Sequence, residues 1–245
     1  MILQGLLLSL LAGLATGIGG LIILLVGRLS RKILDFILGI ASGMMLTVSF
    51  TSLIHKSMDL AGLSFTSLGF ALGSILLLIV DFTAPHANIG GLLDSATPEK
   101  LRRGLVIAVG IAIHNMPEGL AVASGFSADV SLGILIALVI GAHNVPEGMI
   151  TAIPLREAGA SKLRILLITS LAGLTEPATA IIALLLLQKV GYQALALSSA
   201  FAAGAMVYIT VDELIPEVYA HGGGHAVVMG LTFGVLVSLI LMTFV

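Results

Sequence analysis

The sequence predicts an all-α integral membrane protein with eight transmembrane helices, on three observations. Hydrophobic residues make up 58% of the 245-residue chain and charged residues only 10%, against roughly 25% charged in ordinary soluble domains. The apolar residues fall in runs long enough to cross the hydrocarbon core of a lipid bilayer, which takes about 20 helical residues. Except for 83–103 the gaps between runs are short, so the chain reads as a single transmembrane domain, 1–245, with no room for a soluble one. Because the runs are continuous and do not alternate in ten-residue segments, a β-barrel is excluded. Cysteine is absent, which removes disulfides, thiolate metal sites and cysteine nucleophiles. No basic stripe interleaved with aromatics points to nucleic acid.

The expected spans are residues 2–26, 33–55, 63–82, 104–125, 130–153, 163–187, 192–215 and 226–245. The first opens on Ile2 with no Lys or Arg ahead of it, so it lacks the basic start of a cleaved signal peptide and reads as a retained helix. The second follows a basic cluster, Arg28, Arg31 and Lys32. The third is rich in Ser, Thr and Gly, small residues that suit helix packing in lipid. Between it and the fourth lies the one long connection, 83–103, "TAPHANIGGLLDSATPEKLRR". The fourth and fifth spans carry the most unusual residues of the chain, described below. The sixth contains "TEPATA", the seventh ends in "MVYITVDELIPE", and the eighth closes the chain.

Basic residues set the orientation, because cytoplasmic loops carry the excess of Lys and Arg. Arg28, Arg31, Lys32, Lys100, Arg102, Arg103, Arg156, Lys162 and Arg164 fall after odd-numbered spans; only Lys56 and Lys189 fall after even-numbered ones. Both termini are therefore expected outside the cytoplasm, and loop 83–103 inside it.

Two near-identical hexapeptides stand in the middle of lipid-soluble sequence: "HNMPEG" at 114–119 and "HNVPEG" at 143–148. With Glu176, midway along the sixth span, they place His114, Glu118, His143, Glu147 and Glu176 in one membrane layer, beside the neutral amides of Asn115 and Asn144. Each ionisable group at that depth costs about 2.5–3.5 kcal/mol and must be offset by a partner, water or an ion. Within each copy His and Glu are four residues apart and share a helical face. The fourth and fifth helices are joined by a short loop and run antiparallel, so four ligands can converge from two helices. Proline at the fourth motif position removes a backbone donor and lets each helix bend. The glycine that follows is expected to let the two helices approach each other closely. Imidazole with carboxylate suits Zn, Fe, Mn or Co, whereas Mg or Ca would favour oxygen ligands alone. The seven candidate ligands exceed the four of a closed zinc site, which allows two adjacent ions.

At these residues the chain resembles the ZIP family of divalent metal transporters. The two hexapeptides, "TEPATA" and "MVYITVDELIPE" carry the resemblance, which extends over essentially the whole chain. It implies a ZIP-like helical bundle with the metal site between helices four, five and six. It implies one metal site of His114, Glu118, His143 and Glu147 and an adjoining one of Asn115, Asn144, Glu118, Glu147 and Glu176. Retention of His-Asn in both copies is similar to the broad-specificity bacterial branch. The resemblance also implies exit-side metal positions at Asp81, His86, Asp212 and Glu213. It implies uptake of zinc, or of iron, manganese, cadmium or cobalt, by alternating access, with the ion as transported substrate and no prosthetic group. The host membrane would be a prokaryotic inner membrane, and a homodimer is an admissible assembly. His221 and His225 flank three glycines and read as an exposed turn, while His55, near Met58 and Asp59, reads as a guide for entering ions. Two other readings of the same residues stay open at this point. One is a passive metal channel. The other is a membrane-embedded metallohydrolase, which needs an open zinc position and a general base, although the chain contains no HExxH.

Overall fold

A computed structural model of the chain describes residues 1–27, 29–83, 99–219 and 224–243. Among the described residues there is no strand; the chain is built from α1 (Ile2–Val26), α2 (Arg31–Thr47), a π-helical stretch (Val48–Ile54), α3 (His55–Thr83), α4 (Glu99–Ala128), α5 (Val130–Glu157), α6 (Lys162–Gly173), α7 (Thr175–Leu187), α8 (Tyr192–Ile209), a second π-helical stretch (Thr210–Leu214), α9 (Ile215–Tyr219) and α10 (Gly224–Met242). Seven helical stretches among the described residues are long and apolar enough to cross a membrane. One of them, Arg31–Phe82, runs for 52 residues, or about 78 Å at 1.5 Å per residue, far more than one crossing of ~30 Å requires.

That long stretch is not straight. Gly62 stands at φ 75°, ψ 179° inside it, a conformation essentially reserved for glycine. Across it Ser57 Oγ and Thr66 Oγ1 lie 2.9 Å apart, although nine residues of continuous helix would separate them by about 13.5 Å. The chain therefore folds back at Gly62, between the sequence-expected second and third spans. A second interruption, at Leu174, divides the sequence-expected sixth span into α6 and α7, one residue ahead of the Thr175–Glu176 pair. The connection expected over 83–103 is shorter at its far end: α4 begins at Glu99, whose carboxylate in the first turn complements the helix dipole.

Local signals place the other ends. Ser30, Asp129 and Ser161 cap α2, α5 and α6, their side chains accepting from the N–H groups of Ile33, Leu132 and Arg164, which satisfies donors that the first turn leaves free. Asp129 is the only residue between α4 and α5, so those helices form a tight antiparallel hairpin.

The helices are sorted by side-chain size. On α1 the leucines and isoleucine at 3, 7, 11, 14, 18, 21 and 25 are exposed, a stripe suited to lipid contact. The opposite face, with Gly5, Ser9, Ala12, Gly13, Thr16 and Gly17, is buried. Small residues let backbones approach where lipid provides no hydrophobic drive. α1 packs on α5, α6 and α7; α4 on α5 and α7; α2 on α10; and α3 on α8. The Arg156 guanidinium of α5 donates to the Ile23 carbonyl at the end of α1, tying the two helices together at one end of the bundle.

Candidate metal centre

The single-residue link at Asp129 brings the hexapeptides into register. His114 and Asn144 each lie 15 residues from Asp129, and Asn115 and His143 each lie 14. In an antiparallel hairpin these are level pairs, so the His-Asn of one helix meets the Asn-His of the other. α4 and α5 stay helical through Pro117 and Pro146.

Glu118, His143 and Glu147 form the centre of the site: a ligand atom from each lies within 4.8 Å of the others, and all three residues are buried. His143 Nε2 lies 2.8 Å from Glu118 Oε1 and 3.9 Å from Glu147 Oε1. Both Glu147 oxygens and Glu118 Oε2 have no hydrogen-bond partner among the described residues. Buried polar atoms in native proteins are nearly always satisfied. Several unsatisfied oxygens around one imidazole make a place that could hold a cation.

The amides are oriented by the helices behind them. Asn144 Nδ2 donates to the Ala12 carbonyl of α1 at 2.9 Å and to Glu176 Oε2 at 2.8 Å. Asn115 Nδ2 donates to the Ala172 carbonyl of α6 at 3.1 Å. Acceptors around the nitrogen end fix which end is which. In both residues the Oδ1 atom is left buried without a partner and free to face a cation. Glu176, in the first turn of α7, is fully buried and keeps Oε1 unpartnered. Beside it Thr175 Oγ1 lies 2.8 Å from the carbonyls of both Ala112 and Ala172, which share its one proton, holding the α6–α7 interruption against α4.

Of the four residues expected to converge, three fall within that 4.8 Å group. His114 Nε2 lies 2.8 Å from Glu213 Oε1, and the residue lines a cavity of about 40 Å³ with Asp81, Tyr208 and Glu213. Glu213 thus stands next to the motif, carried there by the π-helical stretch Thr210–Leu214. Asp81 shares the cavity, and Asp212 is exposed. His86 and His221 lie outside the described residues. His55 is an exposed residue 3.7 Å from Asp59, and His225 is exposed. On the other side of the site the bundle is filled by Val122, Phe126, Ile136, Ile140 and Leu184, each at most 1% exposed.

The motif glycines differ from expectation. A Cβ on Gly119 would lie 2.2 Å from the Glu176 carbonyl of α7, and one on Gly148 would lie 1.8 Å from the Thr16 carbonyl of α1. They admit α7 and α1, not each other. The reason is angular: with about 100° per residue, the residue after a site-facing Glu points at a third helix. Sequence reasoning also missed the Ala12 and Ala172 carbonyls, which leave no side-chain signal, and Tyr208, which looks like an ordinary aromatic of an apolar span.

The family model described as "ZIP Zinc transporter" matches residues 93–242. The zinc transporter ZupT of Corynebacterium glutamicum is 40% identical, with 95% of each chain covered. ZupT of Chlorobium limicola is 40% identical over 93% of this chain and 92% of its own. ZupT of Streptococcus mutans is 37% identical over 94% and 93%. A helical bundle with a buried carboxylate–imidazole centre and relatives matched over nearly their full length lead to one assignment: the chain belongs to the ZIP zinc transporter family.

Proposed function

We propose that this protein carries zinc, and related transition-metal dications, across a prokaryotic inner membrane into the cytoplasm through the centre at Glu118, His143 and Glu147. The observation that carries the reading is the group of three fully buried ligands with oxygens that nothing in the described protein satisfies. Two carboxylates offset the charge of one dication and the imidazole supplies a nitrogen ligand, a set suited to zinc, iron, manganese or cobalt. Asn115, Asn144 and Glu176 form an adjoining position, and the third carboxylate allows a second ion nearby. His114 and Glu213, with Asp81, form the way out toward the cytoplasm; Asp212 stands at its mouth.

The reversal at Gly62 supports eight crossings by separating two of them, and the excess of Lys and Arg after odd-numbered spans supports both termini outside. Under that orientation the apolar residues Val122, Phe126, Ile136, Ile140 and Leu184 lie on the extracytoplasmic side of the site and the His114 cavity on the cytoplasmic side. A site closed on one side and bordered by a cavity on the other favours alternating access over a passive channel. Members of the family are named transporters, and transport accounts for the buried carboxylates as ligands without a hydrolytic role. Because imidazole and carboxylate must be deprotonated to bind a metal, acidity on the receiving side favours release.

Radiolabelled zinc uptake into sealed proteoliposomes, with competing metals and across pH, tests the proposal. Saturable uptake inhibited by cadmium, and lost in Glu118→Ala and His143→Ala with the protein still inserted, is the expected result. Uptake kinetics unchanged in both variants would remove the site from the transport path.

A further inference from the structure

Most of the buried Ser and Thr hydroxyls that make hydrogen bonds turn back on their own helix. Ser42, Thr47, Ser49, Thr151, Thr169, Ser199 and Thr210 each donate to the carbonyl four residues earlier, the usual way to satisfy a hydroxyl in an apolar helix. Ser9 does not. It is 0% exposed, and its Oγ does not bond back to a carbonyl of α1. Its hydroxyl instead stands against the Glu176 carboxylate, within hydrogen-bonding reach of it. Three residues further along the same face of α1, the Ala12 carbonyl accepts from Asn144 Nδ2. One residue beyond Ala12, Gly13 is pressed so tightly against α6 that an added Cβ would lie 2.3 Å from the Gly173 carbonyl.

From these placements we infer that α1 forms a wall of the metal centre, and that the Ser9 hydroxyl is a neutral oxygen ligand for the cation held by Glu176 and Asn144. The inference rests on the proposed transport site. A hydroxyl adds a hard oxygen without charge, so it completes the coordination of a dication already balanced by carboxylates. It leaves the charge of the pocket unchanged when the ion departs. In such a position the identity of one side chain biases which metals are accepted: hard oxygen favours manganese, and a thiolate in its place favours zinc and cadmium. A hydroxyl that served only helix packing would have no such consequence.

The test is metal-competition uptake in proteoliposomes with the full-length protein, comparing Ser9→Cys and Ser9→Ala with Ser238→Cys. Ser238 is also fully buried with an unpartnered Oγ, but it lies on α10, against α2, and controls for adding a buried thiol. Ser9→Cys is expected to raise the preference for cadmium over manganese about tenfold, in line with changes around metal ligands, while Ser238→Cys leaves it at the wild-type value. A Ser9→Cys ranking within twofold of wild type would overturn the inference. If that variant does not insert, Ser9→Ala decides: a rise of about tenfold in the KM for zinc at unchanged kcat supports the role, and an unchanged KM removes it. Glu176→Ala separates the two levels of the argument. If its uptake is normal, the transport site itself is misassigned; if its uptake is lost and Ser9 has no effect, only the α1 ligand falls.

Discussion

Replacing Glu147 by glutamine should separate what the buried carboxylates do for transport from what they do to stability. Glu118 and Glu147 present oxygens within 4.8 Å of each other, and at an effective dielectric of about 20 two unit charges at that distance repel by roughly 3.5 kcal/mol. The bare repulsion is larger at closer separation, and His143, which lies beside both carboxylates, offsets part of it in the metal-free protein. Glutamine has nearly the same volume, removes one charge and brings an amide that can donate to Glu118. The metal-free variant should therefore melt at the same temperature as wild type or higher. Metal binding should move the opposite way. Removing one charged member of a fully buried group costs about 3–5 kcal/mol, or roughly 150- to 5,000-fold at 1.36 kcal/mol per decade. Thermal melts with and without zinc in detergent, alongside initial rates of zinc uptake, read both quantities. Lower metal-free stability, or uptake within threefold of wild type, would refute the account of Glu147 as an electrostatically strained metal ligand.

Gly62→Ala meets no atom within 4 Å, so any loss reflects backbone strain alone; about 1–3 kcal/mol is expected from forcing Cβ into that conformation, seen as a lower melting temperature with the KM for zinc unchanged. Gly148→Ala drives a methyl group against the Thr16 carbonyl of α1 and should destabilise by roughly 1–3 kcal/mol, while also weakening zinc binding because α1 holds Asn144 in place. Asn144→Asp sets a carboxylate against the Ala12 carbonyl and Glu176, where a donor now stands. That exchange of a donor for an acceptor should abolish uptake at neutral pH, and retention of wild-type kinetics would contradict the amide orientation. Zinc loading of the wild type should fall as pH is lowered, because protons compete for the His and Glu ligands; equilibrium binding titrated with pH checks the sign.

The site was legible in the sequence to the extent that its residues are chemically out of place. Two hexapeptides with His, Glu and Pro in lipid-soluble runs, and a Glu in a third run, can be found by asking which groups a bilayer would not tolerate. Their assembly was less legible. The four-residue spacing put His114 and Glu118 on one face but could not say that His114 would lie against Glu213, 99 residues away. Glu213 could be singled out only by the family resemblance of its segment. The motif glycines showed a similar limit: a missing Cβ announces a close approach but not the identity of the neighbour.

By itself the sequence determined the membrane class and the chemical character of the candidate ligands, and set the expectations for spans and orientation. Each of these follows from local composition measured against the thickness and polarity of a bilayer. Only the tertiary structure decided which ligand atoms stand together, which way the amides point, and that the Ala12 carbonyl of α1 accepts from Asn144. Those features depend on contacts between helices distant in sequence, and two of the decisive acceptors are backbone carbonyls, which every residue possesses and no sequence pattern distinguishes.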